Sequence, residues 1–407
     1  MVASAIQAAV PYLPGRAVRQ PLIMVGITHP QTCLVLKSRL RALRNAGFRV
    51  IVVSSPGDLL KETAESADVE SIAIPMRREI APLADLVSLV RLWRLIGRFQ
   101  PDIVEFGTPK AGLLGSLAAW LRDVPMRVYL LRGLRLETSG GFKRRILLWA
   151  EKLAAACAHV VLCNSDSLRK EALASGVAPA AKLRLLGNGS SGGVDVHRFS
   201  PGPDEMRAEL GFAAEDRVIG FVGRLTRDKG VPELVAAFDA ILRAEPRARL
   251  LLVGWFDEAE DALSDSVRRQ IESHPRICLT GLVNDAAPYY RAMDLMVLPT
   301  WREGFPNVVL EAAATGIAVV TTDATGSRDS VVHGVTGLLI PRGSAHAISE
   351  AVLKLLNNGA LRCQMGQAAR RRVTEKYTDE QVLNLAVRFY AEQQCCHGLE
   401  SFRIPAL

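Results

Sequence analysis

The chain has no run of the ~18 consecutive apolar residues that a membrane-spanning helix needs. It has only seven cysteines in 407 residues, none at metal-ligand spacing. Cys395 and Cys396 are adjacent and the others are scattered through apolar segments. They read as reduced thiols, not as a disulfide framework or a zinc site. No basic region precedes the apolar residues at the start, and Pro11, Pro14 and Gly15 interrupt them. Residues 1–20 are therefore expected to be a disordered extension, not a secretion signal. No Gly-x-Gly-x-x-Gly follows the first strand pattern, which argues against a dinucleotide-dependent dehydrogenase. No Asp-x-Asp is placed to hold a metal.

What the chain does have is positive charge and apolar residues in quantity. Its formal net charge is +8 and it is 49% hydrophobic, so long cores can be buried. At this length two domains are expected. The charge admits nucleic acid as a partner. However, no basic stripe is interleaved with aromatics and no nucleic-acid motif occurs, so none is expected. An anionic membrane surface fits better, because the cations sit beside apolar helical residues. Residues 89–99 and 142–149 both mix Trp or Phe with Arg and Lys, as interfacial helices do. An amphipathic core helix with a basic outer face has the same pattern.

Apolar strand patterns alternate with helical ones along the first half. Strands are expected at 22–27, 49–54, 103–106, 127–131 and 159–164. Helices are expected at 33–45, 83–99, 111–121 and 143–157, with Ser165-Asp166-Ser167 capping another that runs to Ala174. Gly, Ser and Pro crowd residues 187–203, which read as a linker. The rhythm resumes with strands at 218–222, 249–253, 277–279, 295–298, 318–321 and 337–340, and a last long helix near 379–394. Such alternation predicts parallel, doubly wound sheets in an α/β fold. Ligands of such sheets bind outside the carboxyl ends of the strands.

Two segments place chemistry there. Glu303-Gly304-Phe305-Pro306-Asn307-Val308-Val309-Leu310-Glu311 follows the apolar run at 295–299. Its first Glu falls in a loop and its second inside a helix that has Pro306 near its first turn. Free N–H groups at the helix start suit a diphosphate, and carboxylates accept bonds from sugar hydroxyls. Upstream, the strand at 218–222 runs into Gly223-Arg224, then Leu225-Thr226-Arg227-Asp228-Lys229-Gly230, then a helix from about Pro232. Gly223 permits close backbone approach to a ligand. Arg224 can fork onto phosphate oxygens, and Lys229 supplies a point charge.

Gly223, Arg224, Lys229, Gly230, Glu303 and Glu311 together resemble the Gly-x-Arg, Lys-Gly and Glu-x7-Glu pattern of the retaining glycosyltransferases of family 4, whose fold is GT-B. The likeness runs over residues 22–390. The N-terminal half, through Thr108-Pro109-Lys110-Ala111-Gly112-Leu113-Leu114-Gly115, 139–145 and 187–195, is similar to one branch of that family. Its members build capsule, O-antigen or exopolysaccharide units on a polyprenyl-diphosphate carrier. The resemblance implies two Rossmann-like, doubly wound parallel-sheet domains facing a cleft. An acceptor-binding domain would span 21–195 and a nucleotide-sugar-binding domain 196–378. In the last segment, 379–407, a helix would cross back to the first domain. The implied reaction moves a hexosyl or N-acetylhexosaminyl group, with retention, from a UDP-sugar to a polyprenyl-diphosphate-linked glycan. No cofactor or metal is implied, and the implied location is cytoplasmic, peripheral at the inner face of the cell membrane.

Carried over residue by residue, Arg224 and Lys229 hold the donor diphosphate and take up the charge of the leaving group. Glu303 holds donor-sugar hydroxyls, with Gly304, Phe305, Pro306 and Asn307 shaping its loop, and Glu311 holds the ribose. Gly281, Leu282 and Val283 face the base. The chain departs from the pattern twice. Many members have His before Gly after the fourth strand, where this chain has Leu131-Arg132-Gly133. A guanidinium cannot act as a neutral base, but Arg132 can hold a phosphate or sugar oxygen at the catalytic centre. The first loop, Gly26-Ile27-Thr28-His29-Pro30-Gln31, lacks the usual Gly-Gly. Thr28, His29 and Lys110 are the acceptor-side candidates; His159, His274 and His333 read as structural. Two alternatives remain open. One is a sugar-nucleotide 2-epimerase of the same architecture, which needs no acceptor. The other is a catalytically silent nucleotide-sugar-binding subunit, which Arg132 keeps in play.

Overall fold

The computed structural model describes residues 20–396, apart from 78, 191, 259 and 260. The extension expected at 1–20 lies outside the described residues but for Gln20, as do the tail beyond 396 and the side chains of Cys395 and Cys396. In the first half, β1 (Leu22–Gly26), β2 (Arg49–Ser54), β3 (Glu70–Ala73), β4 (Ile103–Gly107), β5 (Met126–Leu131), β6 (Val160–Cys163) and β7 (Leu183–Leu185) form one sheet. Helices α1 (Lys37–Asn45), α2 (Asp58–Ala67), α3 (Pro82–Phe99), α4 (Pro109–Trp120), α5 (Gly141–Cys157) and α6 (Asp166–Ala174) alternate with its strands. All pairings are parallel, in the order β3-β2-β1-β4-β5-β6-β7.

The second half repeats the plan. Its strands are β8 (Arg217–Val222), β9 (Ala248–Val253), β10 (Ile277–Leu279), β11 (Leu295–Leu298), β12 (Ala318–Thr322) and β13 (Gly337–Ile340). They pair in parallel in the order β10-β9-β8-β11-β12-β13. Helices α7 (Glu205–Glu209), α8 (Val231–Ala244), α9 (Asp265–Ser273), α10 (Ala287–Arg291), α11 (Asn307–Ala314), α12 (Ser327–Ser330), α13 (Ala345–Leu356) and α14 (Gly359–Lys376) accompany them, and α15 (Asp379–Cys396) follows. Strands β1, β4, β11 and β12 are buried along their whole length. Parallel sheets covered on both faces read as unbroken apolar runs, which is why these strands are visible in the sequence.

Right-handed crossovers set the layers. Running from β1 outward to β3, the chain places α1 and α2 on one face of the first sheet. Returning through β4, β5 and β6, it places α3, α4 and α5 on the other, with α4 packed between its two neighbours. The last helix, α15, packs on α1. There Val387 and Tyr390 join Leu36, Leu40 and Leu43 in the core of the first half. The buried Arg39 pairs with Glu105 of β4, and the Tyr390 hydroxyl donates to the same carboxylate. The two stretches of chain that pass between the halves are bonded to each other. Val194 N–H donates to the Tyr377 carbonyl at 2.9 Å, and Asp379 N–H to the Val194 carbonyl at 3.0 Å.

Sequence and structure part at the sheet edge and at the first helix. Helix α2 and strands β3 and β7 lie in stretches where no element is expected. β3 has no buried residue and β7 has one, so neither shows the apolar run of a central strand. The helix expected at 33–45 is split. His29 caps a 3-10 turn at Pro30–Val35, and α1 starts only at Lys37.

One buried pair makes stability depend on pH. Tyr129 of β5 donates a 2.5 Å hydrogen bond to Glu151 of α5. Burial pushes the Glu151 carboxyl up to about 7, against the pull of the Tyr129 hydroxyl. An unfolded Glu titrates near ~4.3. Between those values the folded chain keeps a proton that the unfolded chain has lost, so stability falls as pH rises through the window and levels off above it. Urea unfolding of wild type and Glu151→Gln at pH ~4.5 and ~7.5 should show their stability difference moving against wild type by on the order of 3 kcal/mol. A difference that stays constant would contradict this account.

Candidate active site

The order of the second sheet reverses between β8 and β11. Loops leaving two such neighbours diverge, and a crevice opens at their carboxyl ends. The β8 loop carries Gly223, Arg224 and Lys229; the β11 loop carries Glu303 and Gly304. Gly230 makes their contact possible. It sits at φ +72°, and a Cβ there would collide with the Pro299 carbonyl.

A network of charges ties the two loops together. Lys229 Nζ lies 2.5 Å from Glu303 Oε1. Arg224 Nη1 lies 2.6 Å from Oδ2 of the buried Asp257, beyond the end of β9. Asp228, also buried, takes 2.6 Å from the Thr226 hydroxyl and 3.0 Å from Arg302 Nη2. Burial opposes the charge on Arg224, but the Asp257 hydrogen bond and the Asp228 and Glu303 charges outweigh it and raise its pKa. Burial likewise works against ionised Asp228, yet Lys229, Arg302, Thr226 and Arg224 hold its carboxyl below the usual range. Each shift favours the charged form of its group, Arg224 as cation and Asp228 as anion. Arg224 and Lys229 each hold a carboxylate partner while keeping part of the side chain exposed.

Glu311 lies on α11, one helix turn past its start. It accepts 2.7 Å from the Tyr290 hydroxyl. Burial raises its carboxyl pKa, with Tyr290 and Arg198 opposing. Pro306 is the residue before the helix and Asn307 its first; Asn307 Oδ1 is buried without a hydrogen-bond partner. Phe305 is buried against the Tyr377 ring, with centroids 5.4 Å apart. Gly281, Leu282 and Val283 follow β10 at the sheet edge, and Leu282 is 64% exposed.

The first half closes on this crevice. Arg132 follows β5, and a Cβ on Gly304 would overlap its carbonyl, so the backbones touch. Burial drives the Arg132 guanidinium down to about 10, Glu105 opposing and Arg39 adding to the fall. Its Nε and Nη2 are buried without a partner. Thr325 donates 2.6 Å to Glu137, Gly326 N–H donates 2.7 Å to the Ser167 hydroxyl, and Arg302 Nε reaches Thr138 at 3.0 Å. The Arg132 backbone thus meets the β11 loop, while its guanidinium is buried on the first-half side, beside Gly107, Glu105 and Arg39.

The acceptor-side candidates have local partners. Thr28 and Thr108 share a 2.7 Å hydrogen bond, and Thr28 also accepts from Ala111 N–H at 3.0 Å. His29 Nδ1 accepts from Gln31 N–H. Lys110 pairs with Asp85 at 2.7 Å. Sequence reasoning passed over Asp228, Arg302 and Asp257. The first two adjoin residues that it singled out, so their position was a signal; Asp257 lies far from its partner and gave none. Among the described residues no group of three or more His, Cys, Asp or Glu side chains converges on a metal position.

Comparison with known proteins bears on the family and the fold. Residues 216–358 match the family described as "Glycosyl transferases group 1", and residues 36–189 match the "Glycosyl transferase 4-like domain". The chain is 37% identical to the capsular polysaccharide biosynthesis glycosyltransferase CapM of Staphylococcus aureus over 356 residues, 87% of this chain and 92% of that one. It is 26% identical to the Escherichia coli UDP-Gal:alpha-D-GlcNAc-diphosphoundecaprenol alpha-1,3-galactosyltransferase over 329 residues, 78% of this chain and 83% of that one. Its fold is similar to that of Anabaena Alr3699/HepE, solved with UDP and glucose. The TM-score is 0.76 at 20% identity, over 91% of this chain and 99% of that one.

The Gly304 contact yields a test. Gly304→Ala must push Arg132 and its strand away from the crevice. Turnover should fall about a hundredfold, the effect of an ~1 Å misplacement. The unfolding midpoint should change little by comparison, because the charge network stays in one half. Unchanged turnover would show that the two halves need not meet here.

Proposed function

The chain belongs to the family-4-type glycosyltransferases of GT-B fold, and we propose that it moves a sugar from a UDP-sugar to a lipid-linked, diphosphate-bearing glycan in surface polysaccharide assembly. One observation carries the donor half: Arg224, Lys229 and Glu303 converge where β8 and β11 diverge. The names of the S. aureus and E. coli relatives support the polysaccharide setting and the lipid-linked acceptor. The UDP bound in the Anabaena protein supports the nucleotide.

In this proposal the donor diphosphate takes Lys229 from Glu303 and draws on Arg224. Glu303, released, accepts bonds from sugar hydroxyls. Glu311 faces the ribose, and Gly281, Leu282 and Val283 flank the base. Arg132, with two unpartnered N–H groups, meets the phosphate or sugar oxygen from the opposite wall. The bond between the anomeric carbon and the diphosphate breaks as the acceptor oxygen attacks from the same side. The acceptor proton passes to the leaving diphosphate oxygen, and configuration is retained. The cations supply the charge stabilisation, so no metal enters. An acceptor carried on a lipid places the enzyme at a membrane face as a peripheral protein, on the cytoplasmic side where nucleotide-sugars are made.

Nucleotide release by purified protein, over a panel of UDP-sugars with polyprenyl-diphosphate-sugar acceptors, tests the proposal. Release with one donor that depends on acceptor is the expected result. An isomerised donor without acceptor would point to an epimerase, and no turnover with any donor or acceptor would contradict the transferase reading. Lys229→Ala and Glu303→Gln should each lower turnover by about 10²–10³-fold, the scale of losing one preorganised charge or hydrogen-bond partner. Retained unfolding midpoints would assign the loss to chemistry, and retained turnover would remove these residues from the site.

A further inference from the structure

One face of the molecule has no place in the chemistry above. Twelve of the eighteen large apolar side chains left exposed among the described residues lie on α3, α4 and α5 or directly beside them. Leu83 is 84% exposed, Phe142 76% and Trp149 74%. Side chains of this kind scattered singly are ordinary; gathered on one face they mark an interaction surface.

Helical geometry shows that the gathering is continuous. Helix α3 buries Ser88, Leu92 and Ile96 against the sheet and turns a second apolar stripe, Leu83, Leu86, Val87 and Val90, outward. Helix α5 buries Ala154 and Ala155, and its outward stripe is Phe142, Ile146, Trp149 and Leu153. A helix apolar on both sides is normally covered on both sides. Helix α4 joins the two stripes, since it packs against both helices and ends in the exposed Trp120.

Charge selects the occupant. Arg91, Arg94 and Arg98 of α3 and Lys143, Arg144 and Arg145 of α5 are exposed along the same two helices. The one carboxylate of α3, Asp85, is paired with Lys110, and the one carboxylate of α5, Glu151, is buried. Outward-facing Trp and Phe mixed with exposed Arg and Lys match the headgroup layer of an anionic bilayer. No helix among the described residues is long and apolar enough to cross one, so contact is from one side.

We propose that the α3–α4–α5 face docks on an anionic lipid bilayer. The amino ends of these helices lie at the carboxyl ends of the strands, the same edge as the cleft, so Leu83 and Phe142 sit nearest its mouth. A lipid-borne acceptor then reaches the charge network without its tail leaving the membrane. That consequence rests on the lipid-linked acceptor proposed above; the docking itself does not.

The full chain should pellet with vesicles containing phosphatidylglycerol and stay in solution with pure phosphatidylcholine. Neutralising Arg91, Arg94 and Arg98 to Gln should weaken vesicle binding about a hundredfold, at the usual contribution of each cation near an anionic surface. The pair Leu86→Glu and Trp149→Glu should abolish pelleting with the unfolding midpoint and UDP affinity unchanged. A wild-type chain that ignores anionic vesicles, or variants that pellet as wild type does, would overturn the proposal. So would a wild-type dimer in size-exclusion light scattering that the Leu86/Trp149 pair dissolves, since the face would then belong to a second copy. UDP binding separates the two accounts: its loss would strike the transferase reading, and its persistence without vesicle binding would strike only the docking surface.

Discussion

The charges on the loops leaving β8 and β11 are the constraint on which the rest of the structure depends. Arg224, Lys229 and Arg302 are held against Asp257, Glu303 and Asp228 in a half-dry crevice. A buried charge without a partner costs several kcal/mol. The pairs offset that cost before any ligand arrives. Such a site is preorganised for the proposed diphosphate, which would replace carboxylate partners and order little that was mobile.

The fold supplies two things to this network. Parallel strands packed on both faces carry the loops on rigid ends, so the positions of Arg224 and Glu303 follow from the register of β8 and β11. The second contribution is closeness. Gly304 lets the β11 loop meet the Arg132 backbone, and the paired crossings at Val194 and Asp379 tie the two halves together. The Arg39–Glu105–Tyr390 cluster anchors α15 on the first half, directly behind Arg132. The usual neutral imidazole is thus replaced by a buried guanidinium whose free N–H groups have no protein partner.

Much of this was legible in the sequence. β11 begins and ends where its apolar run does, because a central parallel strand has no polar side to blur it. Arg224, Lys229, Glu303 and Arg132 could be named because each adjoins a glycine in a loop that follows a strand. The edge strand β3 was not legible, since it lacks an apolar run, and neither was the split before α1, where the His29 cap overrides helical periodicity. Asp257 was hidden for another reason: it follows β9, and its partner Arg224 follows the neighbouring strand β8. The outward stripes of α3 and α5 could be read separately, but only the packing of α4 between them shows that they form one face.

Calorimetric titration of the full chain with UDP and with uridine, for wild type and Arg224→Ala, tests the charge network most directly. The account predicts that wild type binds UDP far more tightly than uridine. The variant should lose most of that difference while holding uridine as before. Equal losses for both ligands, or no loss for either, would contradict the assignment of a diphosphate to the crevice between β8 and β11.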